Sequence, residues 1–311
     1  MPPLPEEPSR GRLRRLAVLA LVANIGIVVS GGLVRVTGSG LGCPTWPRCD
    51  ETSFVPTPGG DHAGWQTAIE FGNRLLTFAV LAAVIAVFVQ VRRTRPHRRE
   101  VEVLAWALPA GVLAQALLGG ITVLTGLSPF TVAAHFLLSM LLVAAATVLH
   151  ERVRPASDVP AAGSEIRLAT NVLVVIAFTV LVLGTIVTGA GPHGGDITAS
   201  RFGVDIRAVA LAHADAGWFL LGLTTALVAV TWRAGPPRLR VAVRTLLAVE
   251  LSQGVVGYTQ YVLGIPEALV AVHILGAALM WTAAAAVWVR ARPAPTAVSG
   301  AHEPQRDALT R

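Results

Sequence analysis

Eight stretches of about 20 mostly apolar residues run through the chain, and that is the length an α-helix needs to cross the hydrocarbon core of a bilayer. They occupy residues 13–34, 65–91, 103–124, 130–149, 166–188, 206–232, 241–262 and 268–289. Only 14% of the 311 residues are charged and 53% are hydrophobic, with mean hydropathy +0.63. A water-soluble domain carries about 25% charged residues, so the surface of a soluble fold could not be covered. The expected fold is all-α: a polytopic membrane protein with eight transmembrane helices. The first run lacks a small-residue cleavage site and reads as a retained helix.

All 25 basic residues are Arg, giving a net charge of +7 and a pI near 11.0. Such basicity suits nucleic acid, but here the Arg stand in clusters between the apolar runs, which is how a membrane protein sets its orientation. Nucleic acid is therefore excluded as a partner, and the lipid membrane is the expected one. Twenty Arg fall on one side of the eight-span arrangement, among them Arg10, Arg92, Arg152, Arg238 and Arg290. The intervening loops hold only Arg35, Arg48, Arg201 and Arg207. Both termini are expected in the cytoplasm, with a cell-membrane location.

The second four spans echo the first. Thr37-Gly-Ser-Gly40 parallels Thr188-Gly-Ala-Gly191, and Gln115 precedes His135 by the same twenty residues that separate Gln253 from His273. Units with an even number of spans enter the membrane in the same direction, a parallel repeat. The expected organisation is a cytoplasmic tail (1–12), an N-terminal four-helix bundle (13–150), a linker (151–165), a C-terminal four-helix bundle (166–290) and a disordered cytoplasmic tail (291–311). Each bundle is able to hold a guest between facing helices.

Ionisable groups at membrane depth are expensive and mark functional sites. Glu70, Arg74, His135, His213 and His273 all fall within about two turns of the outer ends of their spans. His213 and His273, on different helices at matching depth, suit the two faces of one planar metal-centred ring, since neutral imidazole ligates iron well. The repeat maps His273 onto His135 but His213 onto Asn73, so the first bundle keeps one imidazole beside Glu70 and Arg74. Those two are four residues apart and able to pair along one helix face. A saturated bundle suits a permanent guest and an unsaturated one a reactive guest.

The loop Gly38–Cys49 is dense in Gly and Pro and reads as a structured turn system. Its Cys43 and Cys49, six positions apart, allow a disulfide staple, a redox-active pair, or half a zinc site completed by His62. His62 and His193 read as solvated loop residues. His97 and His150 are expected at the cytoplasmic surface, with His302 in the tail.

Taken together, the loop Thr37-Gly-Ser-Gly-Leu-Gly-Cys43-Pro-Thr-Trp-Pro-Arg-Cys49, the Glu70…Arg74 motif and the three membrane histidines resemble the haem A synthases over residues 13–290. The resemblance implies a membrane oxidoreductase that oxidises the C8 methyl group of haem O to a formyl group, giving haem A for cytochrome oxidase. It implies a haem b cofactor with axial ligands His213 and His273, substrate haem O ligated by His135, a catalytic Glu70 supported by Arg74, and a Cys43–Cys49 disulfide. Haem O synthase and the cytochrome oxidase assembly machinery are the implied partners. Asn73 departs from the pattern, because the family has a His there; two-sided ligation of the substrate haem is thereby lost unless another residue serves. Arg35 or Arg48 is placed to meet haem propionates.

Two other classes compete. A b-type cytochrome that passes electrons without modifying its haem calls for two complete His pairs stacked across the membrane. A duplicated transporter calls for sites near the midplane, whereas these histidines lie toward one surface.

Overall fold

The computed structural model describes residues 8–57, 63–94, 98–154 and 161–293. Regular structure among the described residues is entirely helical: α1 (Pro8–Val36), α2 (Gly64–Arg93), α3 (Arg99–Leu124), α4 (Pro129–Arg152), α5 (Ser164–Ala190), α6 (Ile206–Ala234), α7 (Pro237–Val262) and α8 (Glu267–Arg290). Each apolar run falls inside one helix. Seven are long and apolar enough to cross a membrane; α7 matches them in length at 26 residues, but Arg238, Arg240, Arg244, Glu250 and Gln253 dilute it.

Helix α1 begins at Pro8, so Arg10 and Arg12 are already helical. Residues Ala291–Pro293 pack onto the helices: Ala291 is buried and its carbonyl accepts from the Ala162 amide at 3.2 Å. His62, His97, His302 and the tail from 294 onward lie outside the described residues.

Helix α1 packs on α2 and α4, while α3 lies against both α2 and α4. In the second half α5 packs on α6 and α8, and α7 lies against both α6 and α8. Two apolar cores result, one drawn from α1 to α4 and the other chiefly from α5 to α8 with Val28, Met140 and Val143 added. Helix α8 also touches α1 and α4. Its Ala278, Ala283, Ala284 and Ala285 are buried, small residues that let neighbouring backbones approach. Trp281 crosses the junction and donates its indole N–H to the Met140 carbonyl at 2.7 Å. Outward-facing positions carry large apolar side chains such as Phe78, Val175, Phe219 and Val255, as a lipid-facing surface requires.

The turns joining α3 to α4 and α7 to α8 are alike. Gly126 and Leu127 have φ of 60° and 57°, and Gly264 and Ile265 have φ of 75° and 63°. In each, the second residue's amide reaches back five positions in a Schellman-type closure: Leu127 to the Thr122 carbonyl at 2.9 Å, Ile265 to that of Gln260 at 2.8 Å. A non-glycine residue in this region costs about 1–2 kcal/mol, so surrounding contacts must hold it. Leu127 fills the space left by Gly40 and Gly195, where any Cβ would meet its Cδ1 at 2.7 and 3.1 Å.

The helix ends segregate. At one end Arg152 pairs with Glu100 at 3.0 Å and Arg290 with Glu151 at 2.7 Å, while Arg98 donates to the Arg152 carbonyl at 3.1 Å. At the opposite end Arg35 donates from Nε to the His193 carbonyl at 2.6 Å and from Nη2 to the Thr188 carbonyl at 2.8 Å. His193 Nε2 donates to the Ile265 carbonyl at 2.9 Å. This clasp joins the end of α1 to α5 and to the α7–α8 turn; His193 is a structural link and not a solvated residue. Replacing Arg35 with Met removes two charge-assisted bonds worth about 2–4 kcal/mol together. Thermal unfolding in detergent is expected to shift down accordingly, and an unchanged midpoint would contradict the role.

Candidate functional site

Three imidazoles sit at the end of the bundle opposite the Arg clusters, each lying against a glycine of the preceding helix. A Cβ on Gly119 (α3) would meet the His135 ring at 3.1 Å, one on Gly184 (α5) the His213 ring at 3.2 Å, and one on Gly257 (α7) the His273 ring at 3.5 Å. At Gly119 and Gly184 the missing side chain makes room for the ring between helices, whereas at Gly257 a Cβ would be in ordinary van der Waals contact. His213 Nδ1 donates to the Val180 carbonyl at 3.0 Å, fixing the tautomer that leaves Nε2 with a free lone pair. Nδ1 of both His135 and His273 is buried without a hydrogen-bond partner among the described residues. Gln115 Nε2 donates to the His135 carbonyl at 2.9 Å and also reaches Ser139.

His213 and His273 face each other with ring centroids 6.3 Å apart and planes inclined at 70°. Metal–nitrogen bonds of about 2 Å on both sides of one metal require a separation of this order. No group of three or more His, Cys, Asp or Glu able to hold a metal ion occurs among the described residues.

The repeat-equivalent position in the first half differs. Asn73 on α2 lies 2.6 Å from the Ser30 hydroxyl of α1, which is 3.1 Å from the Ile27 carbonyl. The residue is tied to α1 much as His213 is tied to α5, through an amide in place of an imidazole. His135 therefore has no imidazole partner at the matching position.

Glu70 is buried at 4% exposure. Arg74 donates to its Oε1 from Nε at 3.1 Å and from Nη2 at 2.5 Å, and the Cys43 amide donates to Oε2 at 2.5 Å. Arg74 also donates to the carbonyls of Cys43 at 2.7 Å and Arg48 at 3.0 Å. The ion pair thus clamps the outer loop onto α2. Cys43 and Cys49 form a disulfide, which removes the thiolates that a zinc half-site needs. Gly42 lets the loop backbone come so near α2 that a Cβ would meet Thr67 Cα at 2.8 Å, and Gly120 lets the Trp46 ring press against α3.

The two arginines expected to meet propionates are engaged elsewhere: Arg35 in the clasp, and Arg48 donating to the Glu51 carbonyl at 2.9 Å with its guanidinium over Phe54. Glu250 escaped the sequence reading. It lies within the span 241–262, and the rule that singled out Glu70 applies to it equally. Its Oε1 accepts from the Thr224 hydroxyl at 2.9 Å.

With the site's geometry in place, similarity to known proteins becomes informative. Residues 14–285 match the family model COX15-CtaA, described as cytochrome oxidase assembly protein. The chain belongs to this family. Proteins named heme A synthase resemble it: those of Lysinibacillus sphaericus (37% identity over 141 residues), Alkalihalophilus pseudofirmus (32% over 140) and Oceanobacillus iheyensis (32% over 139). Each match covers 44% of this chain and 43%, 46% and 43% of the respective relative, so the chain spans less than half the length of these relatives.

Replacing Glu70 with Ala leaves Arg74 without its carboxylate and the Cys43 amide without its acceptor, a loss of about 3 kcal/mol. Maleimide labelling of the loop cysteines under limiting reductant is expected to accelerate in Glu70→Ala and much less in Glu70→Gln; equal rates would refute the clamp.

Asp50 organises the far side of the loop. The Thr57 hydroxyl, then the Thr52 amide and hydroxyl and the Ser53 amide, hold its carboxyl at about 2, below the ordinary 3.8. A depressed carboxyl stabilises the fold above its unfolded value and loses that contribution as pH falls through the folded one. Protection of the Thr52 and Ser53 amides relative to intrinsic exchange should therefore hold down to about pH 4 and fall toward pH 2, a dependence absent from Asp50→Asn.

Proposed function

We propose that the protein is a haem A synthase of the cell membrane, with eight spans arranged as two tandem four-helix bundles in a parallel repeat. The first bundle comprises residues 13–150 and the second 166–290. Residues 1–12 and 291–311 form cytoplasmic tails, and 151–165 a cytoplasmic linker. The Arg-rich helix ends support this orientation, because Arg accumulates on the cytoplasmic side. Two features support the duplication: the matching left-handed turns, and the glycine–imidazole contacts repeated in α3–α4 and α7–α8.

The observation that carries the reading is the His213–His273 pair, opposed at 6.3 Å in a chain of this family. These two would ligate a haem b, whose iron supplies one-electron chemistry when bound. Gly184 leaves space for the His213 ring, and the Val180 carbonyl holds it in the ligating tautomer. In the first bundle His135 would ligate the substrate, haem O, from one side, and Asn73 leaves the other side of its iron free of imidazole.

With water as the oxygen source and an external electron acceptor, oxidising the C8 methyl group to a formyl group releases four electrons and four protons, so protons must leave the site. Glu70, paired with Arg74 at 2.5 Å, is the carboxylate proposed to accept one. The same pair seats the disulfide loop over this end of the bundle, so catalysis and loop position are linked through one side chain. Haem O synthase as donor and cytochrome oxidase assembly as recipient complete the proposal.

The test is co-expression with a source of haem O, followed by mass analysis of extracted haems. Haem A is the expected product, and haem b alone would return the reading to an electron-carrying cytochrome. His273→Ala and Gly184→Val are each expected to abolish the haem b absorbance, whereas His135→Ala keeps it and loses haem A. Glu70→Ala is expected to keep haem b and lose most product; a normal rate of haem A formation would remove Glu70 from the chemistry.

A further inference from the structure

Glu250 stands in the middle of α7, 12 residues or about 18 Å from its outer end by the helical rise. It is 9% exposed, and Oε2 has no hydrogen-bond partner among the described residues. Gln253 and Gln260 carry similarly buried, unpartnered Oε1 atoms. Residues 250, 253, 257 and 260 fall on one face of α7, at spacings of three, four and three. Gly257 in this stripe is the residue against which the His273 ring lies, and the Gln253 amide packs on Gly276, one turn below His273 on α8. A file of acceptors thus runs from the outer end of α7, past the imidazole pair, to a carboxyl group about two turns deeper. Buried acceptors lacking protein donors are commonly served by ordered water.

We propose that Glu250 is a redox-linked proton acceptor for the metal centre held by His213 and His273, reached by water along Gln260 and Gln253. The inference rests on the haem reading above. When one electron from a one-electron reductant converts the iron from the ferric to the ferrous state, Glu250 takes one proton from water at the outer face, its carboxylate becoming a carboxylic acid. The added negative charge is balanced by the added positive one, which a low-dielectric interior favours.

The surroundings suit a single titrating group. Helices α6 and α8 pack against α7. Their titratable and charged residues are Arg207, His213, Asp215 and Arg233 on α6 and Glu267, His273 and Arg290 on α8. On α7 itself Arg244 is six residues away and stacks over Trp232 at 4.3 Å; Arg238, Arg240, Tyr258 and Tyr261 lie nearer its ends. The hydrogen bond to Glu250 comes from the uncharged Thr224. Unit charges some 10–15 Å apart at an effective dielectric of about 20 change a proton affinity by about tenfold.

The experiment is a redox titration of the low-spin haem in the purified protein across pH, with infrared difference spectra recorded on reduction. The midpoint potential is expected to fall as pH rises across the carboxyl titration, by about 59 mV for a tenfold change in affinity, with a protonated-carboxyl band appearing on reduction. In Glu250→Gln, which preserves shape and the Thr224 bond, the pH dependence and the band should both vanish; Glu250→Asp should keep them. Thr224→Val removes a bond to the charged form and should move the titration to higher pH. A bound haem with a pH-independent potential, or an unchanged slope in Glu250→Gln, overturns the proposal alone. Absence of any haem at His213 and His273 overturns the haem reading and this proposal together.

Discussion

The packing of an imidazole against a bare helix backbone sets the geometry of the helix pairs that carry the site. At Gly119 and Gly184 a side chain as small as a methyl group would press on the ring opposite, and at Gly257 it would just touch it. The α3–α4, α5–α6 and α7–α8 pairs can therefore close around a histidine without being wedged apart. In hydrocarbon, where apolar burial gives helices little reason to associate, close approach at small residues is the available source of packing energy. The same contacts bring the His213 and His273 rings to within 6.3 Å of each other.

Cost of burial governs the polar groups in a similar way. An uncompensated ion or amide in the interior is expensive, so Glu70 carries Arg74 and the Cys43 amide, and His213 carries the Val180 carbonyl. Asn73 lies within hydrogen-bonding distance of Ser30. The exceptions stand out: the Nδ1 atoms of His135 and His273 and the acceptors of Glu250, Gln253 and Gln260. The proposed haems and ordered water would supply partners to these groups.

The two halves share a plan and diverge in chemistry. Both end their third helix in a Gly plus a left-handed apolar residue, and both set the histidine of the fourth helix against a glycine of the third. One substitution, Asn for His at position 73, separates an opposed pair of imidazoles from a single one. The disulfide loop belongs to the first half only, held by the ion pair beside that Asn. Arg35 and His193 then lock the halves together through backbone carbonyls, so these residues contribute rigidity where propionate recognition was expected of Arg35.

Helix number, helix limits and the side of the Arg clusters were legible in the amino-acid sequence, because hydrocarbon imposes a length and excludes charge locally, residue by residue. That the three histidines, Glu70 and Arg74 sit inside the spans was legible for the same reason, and Glu250 was equally available to that rule. What the sequence left undecided was pairing. Whether Cys43 meets Cys49, whether Glu70 faces a guest or a loop, and whether His193 is solvated all depend on which distant segments share a position. Those choices are made by close approach at Gly42, Gly120 and Gly195 and by hydrogen bonds between the ends of different helices. Only the tertiary structure contains such contacts, since they join residues up to 158 positions apart that no local pattern relates.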